Sequence, residues 1–86
     1  MKQFTVLSRS YCHLCDDMIA ALEEFRGRFS SAFEFTIVDI DLQPALEREW
    51  GEKVPVLLCD KQEICHYFLD EGALSQALTH GANATR

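Results

Sequence analysis

Cys12 and Cys15, in the stretch SRSYCHLCDD, are the residues of this chain best equipped for chemistry. Two thiols at C-x-x-C spacing can exchange disulfides or supply half of a soft metal site. In exchange chemistry the thiolate is the nucleophile, so the surroundings of Cys12 decide its reactivity. A metal site would need four soft ligands near one point, for instance Cys12, Cys15 and His13 with His66. The other pair, Cys59 and Cys65, has C-x5-C spacing that matches no usual zinc knuckle. These two read as buried, inert thiols. Cys59 also falls at the far end of its strand from Pro55, roughly 13 Å away, which argues against one shared site.

Other candidates read more plainly. His66 and His80 are expected to be surface or locally satisfied residues. Asp39 and Asp41 end a strand and read as a solvated pair, not an acid-base dyad. Phe25, Phe29, Phe33 and Phe35 fit core packing better than an aromatic ligand box. No Ser/His/Asp set and no Gly-rich phosphate loop is present in the sequence.

The elements around the dithiol follow from hydrophobic period. Residues 3–8, QFTVLS, alternate as a strand, with Phe4 and Val6 on one face and Thr5 and Leu7 on the other. The period then changes: Cys15, Met18, Leu22, Phe25 and Phe29 form a 3-4-3-4 stripe down one helix. Asp16 and Asp17 suit its first turn, Arg26 and Arg28 its last, and Gly27 marks its stop within a residue or two. FEFTIVDID (33–41) is a second strand, Pro44 opens a short helix to about Trp50, and VPVLLC (54–59) is a third strand. EICHYFL (63–69) is a fourth, and Asp70 caps a last helix with apolar positions Leu74, Ala77 and Leu78.

The order β-α-β-α-β-β-α implies an α/β fold. Strands one and two are joined by a helical crossover and should be parallel; the last two are joined by a short turn and should be antiparallel. Cys12 then stands at the junction of strand one and helix one. Free N–H groups and the helix dipole favour a thiolate there, so its thiol should be more acidic than the ordinary ~8.5. Arg9 and a protonated His13 add to that effect, and Asp16 and Asp17 oppose it. Cys15, one turn further in, is more buried and can reach back to the Cys12 sulfur. Cys12 is therefore the expected attacking thiol and Cys15 the resolving one.

The chain of 86 residues reads as one domain, 1–86, with a small polar tail at 81–86. Its net charge is −6, and it has no basic run of the kind that nucleic-acid binding uses. No secretory signal or membrane span is legible, so a soluble protein of the reducing cytoplasm is expected; a monomer without nucleic-acid or membrane partners is expected as well. In that compartment a C-x-x-C is catalytic or metal-binding more often than structural.

Taken together, S-R-S-Y-C-H-L-C after an apolar strand and VDIDLQPALEREWGEKVPVLL resemble the glutaredoxin pattern across nearly the whole chain. They are most similar to the small bacterial glutaredoxin-like domains. The resemblance implies a thioredoxin-like fold, a four-stranded mixed sheet in the order 2-1-3-4 with helices on both faces. It implies a thiol-disulfide oxidoreductase with Cys12 and Cys15 catalytic. It also implies that Arg9, Tyr11, His13, Val54, Pro55 and Asp70 contact substrate, and that Pro55 is cis beside the sulfurs. The main chain of Val54 would pair with the substrate as an added strand. The partners would be a disulfide-containing protein or glutathione, and a reducing partner. No cofactor is expected beyond glutathione as co-substrate, and no metal. Two departures stand out. His13 and Leu14 replace the family's Pro-Tyr, and Tyr67, Phe68 and Leu69 fall where glutathione-using members carry a Gly-Gly turn. A non-catalytic adaptor or metal-binding module on the same fold is the alternative.

Overall fold

The computed structural model describes residues 2–29 and 33–80, for residue 80 the backbone only. The expected tail at 81–86 and the side chain of His80 lie outside the described residues. The elements run β1 (Lys2–Ser8), α1 (His13–Phe29), β2 (Phe33–Asp39), a 3-10 turn (Ile40–Leu42), α2 (Pro44–Trp50), β3 (Val56–Cys59), β4 (Gln62–His66) and α3 (Glu71–His80). They form one mixed sheet in the order β2-β1-β3-β4. β1 lies parallel to β2, while β3 is antiparallel to both β1 and β4.

The alternation read from β1 divides the core between the two faces of the sheet. Phe4 and Val6 join Met18, Leu22 and Phe25 of α1 and Leu74 of α3, with Phe33, Leu57, Cys59 and Cys65. Leu7 joins Ile40, Val56 and Leu58 on the other face, under Leu46 and Trp50 of α2. Phe4 and Phe33 meet edge to face at 5.4 Å between ring centroids.

Several boundaries differ from the sequence-based expectation, each for a local reason. β2 stops at Asp39 because its side chain accepts the Asp41 N–H at 2.9 Å and turns the chain into the 3-10 segment. β3 begins at Val56, since Pro55 before it has no N–H for a ladder. β4 ends at His66 because Tyr67 adopts φ 67°, which no strand accommodates. α1 runs through Gly27 to Phe29, and Phe29 is 56% exposed instead of lying in the core. Its ring packs on Phe25 at 4.7 Å and under the Arg28 guanidinium at 4.6 Å, which carries the last turn past the glycine. The β3–β4 hairpin turns on Asp60 and Lys61, both at positive φ, as the twist of a two-residue hairpin requires.

Candidate active site

Strand register gathers the chemistry at one edge of the sheet. Ser8 pairs with Asp39, Leu7 with Val56, and Val56 with His66. The loop carrying Cys12, the Val54–Pro55 segment and Tyr67 therefore all leave the sheet at the same end. Cys59 pairs with Gln62 at the opposite end of β3.

Cys12 immediately precedes α1, is partly exposed, and bonds to Cys15 as a disulfide with a Cα–Cα separation of 5.2 Å. Cys15 is fully buried. The Cys15 N–H donates to the Cys12 sulfur at 3.0 Å, and the Asp16 N–H donates to the Cys12 carbonyl at 3.1 Å. One of the free N–H groups that open the helix thus points at the accessible sulfur. Tyr11 sits beside it at φ 59° with its ring wholly in solvent, and His13 is exposed on the first turn.

The Val54–Pro55 bond is cis, and Pro55 is buried. Tyr67 holds this segment from two points. Its N–H donates to the Pro55 carbonyl at 2.8 Å, and its hydroxyl donates to the Glu52 carbonyl at 2.8 Å. Its left-handed backbone is one that glycine adopts without cost and tyrosine does not. Tyr67 is the feature that sequence reasoning missed. In the sequence it stands only as a bulky replacement for a glycine, and no residue pattern announces a phenol reaching back to residue 52.

Arg9 is held within the chain. Its Nε donates to Asp41 Oδ1 at 3.3 Å, its Nη2 to Glu47 Oε2 at 3.3 Å and its Nη1 to the Gly51 carbonyl at 3.5 Å. Asp41, read as solvated, is an ion-pair partner, and Glu47 joins it from α2. Gly51 fits because a Cβ there would lie 2.5 Å from the Glu47 carbonyl oxygen. A shallow cleft of ≈ 540 Å³ lies beside this network, with Glu47, Glu52, Lys53 and Tyr67 among its walls.

Asp70 caps α3, its Oδ1 accepting the Ala73 N–H at 3.0 Å. The Arg28–Glu71 ion pair at 2.9 Å ties the start of α3 to the last turn of α1, away from Cys12. His66 pairs with Glu63 and meets the Tyr67 ring edge-on. Cys59 and Cys65 are buried free thiols, and burial pushes both pKa values up. For Cys65 the Asp70 backbone works against that rise, and the Asp70 and Glu63 charges reinforce it. Among the described residues, no three His, Cys, Asp or Glu side chains converge as metal ligands.

Comparison with known proteins places this geometry. The family described as glutaredoxin-like domain (DUF836) matches residues 3–79. An uncharacterized protein of Mycobacterium tuberculosis is 29% identical over 77 residues, covering 84% of this chain and 77% of the relative. A solution structure from Nitrosomonas europaea superposes with TM-score 0.76 at 36% identity, covering 87% of this chain and 88% of the other. A crystal structure from X. campestris gives TM-score 0.68 at 33% identity, covering 91% and 97%. Fasciola hepatica thioredoxin, at TM-score 0.54, 17% identity and 91% and 78% coverage, shares the fold.

Proposed function

The chain belongs to the glutaredoxin-like domain family, and on that footing we propose that it is a thiol-disulfide oxidoreductase. The supporting observation is the pairing of a partly exposed Cys12 sulfur with an N–H of the helix start, backed by a buried Cys15. The Cys12 thiolate attacks one sulfur of a substrate disulfide. The substrate S–S bond breaks, one half leaves as a thiolate that takes a proton from water, and the other half stays bonded to Cys12. Cys15 gives up its proton and attacks the Cys12 sulfur. The Cys12–Cys15 disulfide forms and the second substrate thiol departs. Two electrons have passed from the dithiol to the substrate, and a thiol reductant restores the dithiol.

The N–H donor and the helix dipole stabilise the attacking thiolate and act again when Cys12 is the leaving group. The Val54 main chain lines the substrate up as an added strand, with Pro55, Tyr11 and His13 around it. The residues assigned to substrate by resemblance divide here. Arg9 is paired with Asp41 and Glu47, and Asp70 caps α3 through one of its two oxygens; the reading rests on the dithiol and the segment that Tyr67 braces.

Serine replacements test the division of roles. With a small disulfide and a thiol reductant, Cys12→Ser abolishes turnover, and Cys15→Ser accumulates a mixed disulfide on Cys12. Equal, mild losses from both would exclude the assignment.

A further inference from the structure

We propose that the dithiol edge selects disulfides carrying positive charge and discriminates against anionic ones, because Arg9 is withheld by Asp41 and Glu47. The inference rests on the oxidoreductase reading and gives it a substrate class.

Arg9 is the cation of β1's outgoing loop, three residues before Cys12. All three of its guanidinium nitrogens face acceptors within the chain: Asp41, Glu47 and the Gly51 carbonyl. One positive charge against two carboxylates leaves the cluster net negative. A guanidinium with three of its five N–H donors committed and two carboxylates beside it offers a weakened site to a carboxylate arriving from solution. Lys53, next to Val54, has its ammonium over the Trp50 ring at 5.6 Å. Lys2 and Lys61 lie at the opposite end of the sheet, and Arg26 and Arg28 at the far end of α1. Among the described residues, the remaining cations are Lys53, which keeps its charge over the ring, and Arg48 on α2. Against these two stand the net negative Arg9 cluster, Asp16 and Asp17, both exposed on the turn that follows Cys12, and Asp39 beside Ser8. Charges of one sign around a reaction centre raise the local concentration of the opposite sign and depress that of their own.

The test uses the reduced protein alone, oxidised stoichiometrically by three small disulfides: cystamine (cationic), hydroxyethyl disulfide (neutral) and dithiodipropionate (anionic). Each event forms the Cys12–Cys15 disulfide and releases two small thiols. The rate constant for each disulfide is divided by that of dithiothreitol with the same compound, which removes intrinsic reactivity. At about 0.01 M salt the cystamine ratio should exceed the dithiodipropionate ratio by about tenfold, and the gap should close at about 1 M, where screening reaches ~3 Å. Equal or reversed ratios, or a gap indifferent to salt, would overturn the proposal. In a D41N/E47Q variant Arg9 is released, and the dithiodipropionate rate should rise several-fold relative to cystamine; an unchanged ratio would remove Arg9 from the account. The wild-type salt series stands whether or not that variant folds. Failure of hydroxyethyl disulfide to oxidise the dithiol at all would instead fell the oxidoreductase reading. Oxidation without charge preference fells only this one.

Discussion

At the scale of single residues, two tyrosines occupy backbone conformations that suit glycine. Tyr11 and Tyr67 both have positive φ, and they flank the dithiol and the Val54–Pro55 segment respectively. Left-handed backbone costs a non-glycine residue roughly 1–2 kcal/mol. Tyr67 offsets that cost with its two hydrogen bonds to the 52–55 segment. Tyr67→Phe keeps the ring and backbone but leaves the Glu52 carbonyl without its phenol donor. It should cost about 1 kcal/mol, read as a fall in melting temperature of roughly 4–8 °C for a domain of this size. A melt unchanged from wild type would show that the phenol contact is idle.

The sequence exposed the dithiol because C-x-x-C and helical period are both local signals. Cys12, Cys15 and the helix start beside them were legible from ten consecutive residues. The Arg9 network was not, since its partners lie 32 and 38 positions away. Asp41 reads from sequence as a solvated residue at a strand end, and the cation it pairs with stands 32 positions earlier. Asp70 was read correctly as a helix cap, and that task occupies one of its oxygens.

At the scale of elements, two glycines give substitutions of opposite sign. Gly27 lies inside the last turns of α1, and a Cβ added there meets nothing within 4 Å. Gly27→Ala should stabilise by about 0.5–1 kcal/mol, because alanine loses less backbone entropy on entering a helix. Gly51 caps α2 in an ordinary helical conformation, yet its Cβ would press on the Glu47 carbonyl. Gly51→Ala should destabilise by about 1–3 kcal/mol as the turn shifts, and should loosen Arg9 by moving the carbonyl it contacts. Denaturant midpoints of the two variants measure both. Boundary errors in the sequence reading had the same kind of cause. Asp39 and Tyr67 end their strands through a side-chain bond and a left-handed φ, and neither is visible in a hydrophobic pattern.

At the scale of the whole molecule, the core carries two thiols that resist ionisation. Burial raises the pKa of Cys59 and Cys65 above the ordinary thiol value. The unfolded chain therefore releases these protons at lower pH than the folded one. Their effect on stability is nil below about pH 8.5 and grows unfavourable as pH rises above it, up to the raised folded values. Denaturant midpoints should fall on going from neutral to alkaline pH. A C59A/C65A variant should start lower, through lost packing, but fall less steeply. An equally steep fall would assign the alkaline loss to other groups. The parallel β1–β2 pair and the antiparallel β3–β4 hairpin were legible in crossover and turn length, whereas the order that sets β3 beside β1 came only from the family resemblance. How the second face is covered was less so, since α2 is short and holds its place through Leu46 and Trp50.

Cys12 and Cys15 are proposed to form a reversible redox couple. The most direct measurement equilibrates the folded protein across mixtures of reduced and oxidised dithiothreitol, quenches by alkylation, and maps the labelled cysteines by mass spectrometry. One cooperative two-electron transition confined to Cys12 and Cys15 is expected, with Cys59 and Cys65 labelled only after unfolding. A protein that shows no transition across the whole range, or one whose transition involves Cys59 and Cys65, would contradict it.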